Sequence, residues 1–179
     1  MKKMNYYAIQ IKTRYEEQYI KLFKAQHPHI DLPIHFPRRS LEIRRAGKLR
    51  TSTSAVFPGY IFIEAENDDE IKNCQWEFRQ TKGFSRFLRS NQEIIPLADR
   101  DLELVLHFIK KAGPIAGRSK VYFNENARIV VVEGPLCGLE GRIVKVDKRK
   151  GRAKIMLDIY NDSFSIDLAF EVIAADQRK

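Results

Sequence analysis

The stretch Val56-Phe57-Pro58-Gly59-Tyr60-Ile61-Phe62-Ile63-Glu64 decides the first half of the fold. Its Pro-Gly pair is followed directly by a run in which Tyr60, Phe62 and Glu64 alternate with Ile61 and Ile63. Successive side chains of this run point to opposite faces of a pleat, which predicts a strand over Phe57–Glu64. Upstream, Leu41–Arg45 predicts another strand, joined to the first through the basic, polar segment Ala46–Ser54. The two runs predict a pair of strands.

Helices and strands alternate on either side of this pair. Thr13 followed by Glu16 is typical of a capping box, which begins a helix. Asn67 followed by Glu70 marks a second helix start. The predicted elements are a strand over Tyr7–Ile11, a helix from Thr13 to about Gln26, a helix after Asn67, a strand over Ser85–Leu88 and a helix after Pro96. Their order, β-α-β-β-α-β with a trailing helix, predicts a ferredoxin-like α+β sandwich.

The rest of the chain has a different pattern. Lys111–Ser119 lacks periodicity and contains two glycines, which is typical of a linker. Beyond it no helical pattern occurs, and short strands are predicted at Ala127–Glu133, Gly141–Val146, Ala153–Tyr160 and Phe164–Leu168. Such strands predict a small all-β, SH3-like barrel. We therefore expect two domains, at residues 1–110 and 120–179, with a linker at 111–119.

Positive charge is concentrated in two windows. The chain has 32 Lys and Arg against 23 Asp and Glu, for a net charge of +9. Residues 38–50 contain six cations and one anion, and residues 142–154 contain seven cations and one anion. Alternating cations around a hairpin are spaced to contact successive phosphates. The candidate RNA-binding residues are Arg142, Lys145, Lys148, Arg149, Lys150, Arg152 and Lys154.

Plainer explanations exist for these features. Solvated hairpin turns rich in lysine and arginine would give the same charge pattern. Tyr160 and Phe164 flank the turn Asn161-Asp162-Ser163, where they would stack on a base or a partner side chain, or else belong to the core. Phe57 and Tyr60 likewise fit either an exposed protein-binding patch or the core.

The sequence lacks the signals of catalysis or secretion. Gly134, Gly138 and Gly141 are not followed by the Lys-Ser or Lys-Thr pair of a phosphate-binding loop. His27 and His29 lie in a proline-containing loop without a fixed element to hold a metal. We therefore expect no enzyme, no catalytic residue, no cofactor and no metal. Two cysteines and the lack of a long apolar run indicate a cytoplasmic protein with no membrane contact.

Two motifs in register resemble the NusG-type transcription elongation and antitermination factors. Val56–Tyr60 resembles the Phe-Pro-Gly-Tyr signature of that family, and Glu133–Ile143 resembles its KOW motif. Tyr6–Gln10 resembles the opening Trp-Tyr strand, with Tyr6 in place of tryptophan. The resemblance covers essentially the whole chain. The basic continuation Val146–Ile155 is most similar to the specialised LoaP paralogs, which act on selected operons.

For the first domain, the resemblance implies an NGN-type fold that binds RNA polymerase. Members of the family grip the clamp helices of the largest polymerase subunit through an apolar surface. Matched by motif, the residues that would do so here are Tyr7, Phe57, Pro58 and Tyr60. Some members also contact the non-template DNA strand through a polar pair, which Gln80 and Thr81 match in this chain.

For the second domain, the resemblance implies one of two kinds of partner. Housekeeping members bind the Rho terminator or a ribosomal protein through an aromatic residue at the position of Tyr160, but the residues after it depart from the usual Gly-Arg. LoaP-like members bind a hairpin of the nascent RNA. We expect a monomeric, operon-specific antiterminator, with a general elongation and termination factor as the alternative. An RNA-binding or ribosome-assembly module would share the KOW motif but would not need the first domain.

Overall fold

The computed structural model describes residues 4–88, 93–160 and 162–174. The helices are α1 (Glu16–Gln26), α2 (Asp68–Asn73), α3 (Gln75–Gln80) and α4 (Asp99–Leu106), the last continued by a π-helical turn (His107–Lys111). The strands are β1 (Asn5–Ile11), β2 (Ile34–His35), β3 (Arg38–Arg45), β4 (Lys48–Ala55), β5 (Tyr60–Ala65), β6 (Phe84–Phe87), β7 (Ile115–Ala116), β8 (Ser119–Phe123), β9 (Ile129–Glu133), β10 (Ile143–Asp147), β11 (Arg152–Ile159) and β12 (Asp162–Val172).

The chain divides into two compact units. The first unit comprises residues 1–36 and 57–105, and the second comprises 37–56 and 106–179. Both units are therefore discontinuous in sequence. The second includes the β3–β4 hairpin, which the domain boundaries expected from the sequence assign to the first domain.

The first unit is built on an antiparallel sheet in the order β2-β5-β1-β6. Tyr7 lies opposite Ile63, and both belong to an apolar core that also contains Tyr19 and Phe23 of α1 and Phe78 of α3. The rings of Phe23 and Phe78 stack with centroids 4.0 Å apart. The sheet and the helices that pack on it confirm the predicted α+β class.

The two predicted helix starts have different outcomes. Asn67 caps α2 as predicted, since its Oδ1 accepts the backbone N–H groups of Asp69 and Glu70 at 3.0 and 3.1 Å. The capping box predicted at Thr13 is wrong, because α1 begins at Glu16 without a side-chain cap. The buried carboxylate of Glu16 instead accepts the backbone N–H of Gly59 at 2.7 Å.

The second unit contains a five-stranded sheet in the order β10-β11-β12-β8-β9. Its pairs are antiparallel except for β8 and β12, which run parallel. Along β11 the buried residues alternate with more accessible ones, so that the strand places Ala153, Ile155, Leu157 and Ile159 in the core. This confirms the small β domain and, within a few residues, all four strands predicted there from the sequence.

The β3–β4 hairpin, residues Arg38–Ala55, is called the arm below. The sequence pattern predicts a connection where β4 lies and predicts that β3 shares the first sheet. Instead, β3 pairs with β4 over its whole length and with β7 at its first two residues. Ala46 and Gly47 both have positive φ, of 50° and 76°, which closes a two-residue turn. The predicted linker at 111–119 contains β7 and the first residue of β8, so it is not a free connection.

Candidate nucleic-acid interface

The β10–β11 turn presents the basic window 142–154 and is held rigidly. Asp147 Oδ1 accepts the backbone N–H of Lys150 at 3.0 Å, which lowers the pKa of Asp147. Gly151 has φ of +60°, and a Cβ there would lie 2.7 Å from the carbonyl oxygen of Phe170. The Phe170 N–H donates to the Gly151 carbonyl at 2.8 Å. These contacts fix the turn against β12.

Four of the seven candidate RNA-binding cations already have partners within the second unit. Their ion pairs are Arg142 with Asp158 at 3.7 Å, Lys150 with Asp147 at 3.9 Å and Lys154 with Asp167 at 3.0 Å. Arg152 donates to the backbone carbonyl of Glu42 in the arm. These four residues therefore stabilise the local structure of the second unit and also contribute positive charge to its surface.

The other three, Lys145, Lys148 and Arg149, are exposed. Lys148 Nζ lies 3.9 Å from the centre of the Phe123 ring, a cation–π contact. The side chains of Lys145 and Arg149 form no hydrogen bond or ion pair with any described residue. These three exposed side chains are therefore the cations of the window that form no hydrogen bond or ion pair among the described residues.

The arm brings the second basic window, residues 38–50, to the same unit. Arg39 is half-buried and donates to the carbonyl of Asp167 at 3.0 Å, and burial lowers its pKa. Glu42 forms an ion pair with Arg118. Four further cations of the arm are exposed, namely Arg44, Arg45, Lys48 and Arg50. Sequence reasoning identifies this charged window but assigns none of its residues to a site, because their proximity to 142–154 is a tertiary contact.

An open cleft of about 800 Å³ lies between the arm and the β10–β11 turn. On one side are Glu42, Arg44 and Leu49, and on the other are residues 148–152, with 169–172 of β12 and Arg118 also lining it. Six of the lining residues are cations, Arg44, Arg118, Lys148, Arg149, Lys150 and Arg152, whereas two are anions, Glu42 and Glu171. The arrangement suits a polyanion rather than a neutral ligand.

Charge is divided unequally between the two units. The residues of the second unit contain twenty Lys and Arg against ten Asp and Glu, which gives a net charge of +10. Those of the first unit contain twelve against thirteen, which gives −1. The whole positive excess of the chain therefore belongs to the unit that contains the cleft.

The predicted polymerase-binding residues lie mainly in the interior. Tyr7, Phe57 and Tyr60 are each only 1% exposed, whereas Pro58 is half-buried. The Tyr7 hydroxyl donates to Asp68, and the Phe57 ring packs edge-on to Phe62 with centroids 5.3 Å apart. Of the two alternatives that the sequence leaves open for Phe57 and Tyr60, the structure therefore favours the core, because β5 is buried on both faces. Tyr7, on the adjoining β1, is equally buried.

The predicted DNA-contacting pair is split between surface and interior. Thr81 is 1% exposed, and its hydroxyl donates to the carbonyl of Glu77 at 2.8 Å, so it is a structural residue. Gln80 is exposed one turn after Trp76, which is 65% exposed. Arg79 lies 5.7 Å from the centre of the Trp76 ring. Sequence reasoning misses this exposed tryptophan, since helical spacing alone does not decide which residues are covered.

Tyr160, the predicted partner-contacting aromatic, lies at the end of β11. It is half-buried and has φ of 54°, which places it in the left-handed region. Asn161, the first residue of the predicted turn, lies outside the described residues. Phe164 in β12 is also half-buried. The two rings thus fit neither a fully exposed stacking surface nor a fully buried core.

The remaining features considered are metal-binding clusters, the two cysteines and membrane-spanning helices. Residues 4–88, 93–160 and 162–174 contain no group of three His, Cys, Asp or Glu residues placed to hold a metal. Cys74 and Cys137 are free thiols, and burial raises the pKa of Cys74 to about 11. Among the same residues no helix is both long and apolar enough to span a membrane.

Comparison with known proteins identifies related chains. A family model described as "Transcription termination factor nusG" matches residues 4–106. A protein of Thermus thermophilus named "Transcription termination/antitermination protein NusG" is 28% identical over 139 residues, 74% of each chain. A Pasteurella multocida protein of the same name is 24% identical over 178 residues, 96% of this chain and 94% of the other. A solved structure, "Domain interaction in Thermotoga maritima NusG", covers 93% of this chain and 94% of its own, with 18% identity and a TM-score of 0.47.

Proposed function

Because the chain belongs to the NusG family, we propose that it is a cytoplasmic regulator of transcription elongation that binds RNA polymerase and a hairpin of the nascent RNA. In this proposal it promotes processive antitermination at selected operons, as the specialised LoaP paralogs do. It acts as a monomer, and its role is binding rather than catalysis.

The division of charge between the two units is the observation that carries the RNA-binding half of the proposal. The second unit has a net charge of +10 and the first has −1. A phosphate backbone is recognised through such a local excess of positive charge. The exposed cations Lys148 and Arg149 beside the cleft are the expected phosphate contacts.

The polymerase-binding half of the proposal rests on the family and on the Pro-Gly turn of the first unit. Pro58 is the accessible member of the motif, and the buried rings of Tyr7, Phe57 and Tyr60 support the strand that carries it. We propose that these rings act as the base of the clamp-helix surface rather than as its contacts. Gln80 is the remaining candidate for contact with the non-template strand.

A general elongation and termination factor is the second candidate function, and the names of the related proteins favour it. In that case the second unit binds Rho or a ribosomal protein, with Tyr160 as the contact. Its half-buried ring at the end of β11 leaves part of the aromatic surface accessible for such a partner.

Binding of the full-length protein to structured leader RNAs, measured across a range of salt concentrations, tests the proposal. Rho and the ribosomal partner are assayed in parallel. We expect a hairpin to bind well above a scrambled RNA. Replacing Lys148 and Arg149 by glutamine should weaken that binding and lower its salt slope by about one unit for each phosphate that is no longer neutralised.

Lys12→Gln with Lys21→Gln is the matched control, because it removes two exposed cations of the first unit. It should leave RNA affinity nearly unchanged. Binding to Rho or the ribosomal protein, with RNA affinity no better than that of the scrambled control, would instead establish the general factor and refute operon-specific RNA recognition.

A further inference from the structure

We propose that the arm forms a second wall of the RNA site, so that phosphates are held between Arg44 and the cations of the β10–β11 turn, while the other exposed cations of the arm attract the RNA around its tip. This inference rests on the proposed RNA-binding function and names the part of the surface that carries it. It adds residues that lie about a hundred positions earlier in the chain than the KOW-like motif.

Specific contacts along its base hold the arm to the other strands of the second unit. Arg39 of β3 donates to the carbonyl of Asp167 in β12 at 3.0 Å. Arg152 of β11 donates to the carbonyl of Glu42, and the carboxylate of Glu42 pairs with Arg118. Three guanidinium groups therefore serve to place the arm, and Glu42 is engaged through both its backbone and its side chain.

The contacts at the base leave the charge at the tip of the arm available. Arg44, Arg45, Lys48 and Arg50 are exposed, and among the described residues their side chains form no hydrogen bond or ion pair. They surround the two-residue turn at Ala46 and Gly47, and no anion lies between residues 43 and 50. A hairpin tip of this composition attracts phosphates.

The register of the arm determines which cations face the cleft. Arg44 lies directly opposite Leu49, and Arg45 lies opposite Lys48, so that these pairs occupy opposite faces of the hairpin. Arg44 and Leu49 both line the cleft, and Glu42 lies on the same face two residues earlier. Arg44 thus faces Lys148 and Arg149 across the cleft, whereas Arg45, Lys48 and Arg50 extend the positive surface around the tip.

An RNA hairpin is the polyanion that this geometry favours. Double-stranded RNA is recognised through its shape and its phosphates, because side chains cannot read its deep, narrow major groove. Two separated groups of cations match such a backbone better than one cluster would.

The test measures binding of the full-length protein to a labelled RNA hairpin and to polyglutamate across salt concentrations. Arg44→Gln with Arg45→Gln removes charge from β3, and Lys48→Gln with Arg50→Gln removes it from β4. All four positions are exposed, and circular dichroism checks that each variant is folded. We expect Arg44→Gln with Arg45→Gln to give the larger loss of RNA affinity, because Arg44 lines the cleft, and to lower the salt slope by up to about two units. Lys48→Gln with Arg50→Gln, on the opposite face of the hairpin from Arg44, should give a smaller loss that still exceeds that of the control.

The control is again Lys12→Gln with Lys21→Gln, which changes the net charge by the same amount in the first unit. If the arm variants have the same RNA affinity and salt slope as this control while the wild-type protein binds RNA, the arm is not part of the site. That result would refute this inference but not the proposed function. Equal reductions in affinity for RNA and for polyglutamate would overturn the assignment to RNA. Failure of the wild-type protein to bind the hairpin would refute the proposed function itself.

Discussion

At the scale of single residues, the hydroxyl of Tyr7 shows how a motif position serves the fold. Tyr7 is buried in β1, and its hydroxyl donates to Asp68, which also accepts from Asn5 Nδ2 at 3.1 Å. Burial, and then the hydrogen bond to Asp68, raise the pKa of Tyr7 above its ordinary value. This hydrogen bond therefore connects β1 to the start of α2. The native state favours the protonated, neutral form of the Tyr7 side chain.

We predict a pH-dependent difference between the wild-type protein and Tyr7→Phe. Below pH 9 the variant should be less stable by about 1–3 kcal/mol, because Asp68 loses a buried donor. Above about pH 10 tyrosine ionises in the unfolded state while Tyr7 stays protonated in the native state, so the wild-type protein loses this contribution as pH rises. Urea unfolding across this range should show the two stabilities converging. A difference that does not change with pH would contradict the expected raised pKa.

At the scale of elements, the turn before β5 is fixed by α1 and β1 together. The N–H of Gly59 donates to Glu16 at 2.7 Å, and its carbonyl accepts from Ile11 N–H at 2.8 Å. Gly59 has φ of +83°, and a Cβ there would lie 3.0 Å from Thr13 Oγ1 and 3.3 Å from the Ile11 carbonyl. Glycine is needed at this position both for its conformation and for its lack of a side chain.

Gly59→Ala should lower the free energy of unfolding by about 1–3 kcal/mol, because a non-glycine residue is strained at positive φ. Gly117→Ala is the matched control, since a Cβ there meets nothing within 4 Å and its φ lies outside the left-handed region. Urea denaturation of both variants measures the difference. Equal stability of the two variants would show that the turn adjusts without cost.

The same elements show what the sequence can and cannot predict. The cap at Asn67 is predictable because its hydrogen bonds join residues two and three positions apart. The partner of Glu16 is not, because that hydrogen bond joins residues 43 positions apart. For the same reason the basic character of both windows is evident from composition, whereas their meeting at one cleft depends on the packing of the arm. Burial of Phe57 and Thr81 is likewise a tertiary property that local spacing does not encode.

At the scale of the whole molecule, the chain has two cores, in units that carry different charges. Tyr7, Ile61 and Phe78 belong to the core of the first unit, and Ile155 and Leu157 are buried in the second. We predict that the two units, each with its own core, unfold in separate cooperative steps. The near-neutral first unit suits a protein partner and the basic second unit suits a nucleic acid, so this separation divides the proposed binding functions as well.

A fluorescence experiment tests this separation, because Trp76 is the chain's single tryptophan and lies in the first unit. Ile155→Ala, at a fully buried site of β11, should cost the second unit about 2–5 kcal/mol, because it removes buried apolar surface and leaves a cavity. The transition followed by Trp76 fluorescence in urea should stay in place, while circular dichroism reports earlier loss of strands. Ile61→Ala, equally buried in β5, should have the opposite effect and shift the tryptophan transition. If Ile155→Ala moves the Trp76 transition as far as Ile61→Ala does, the chain unfolds as one cooperative body.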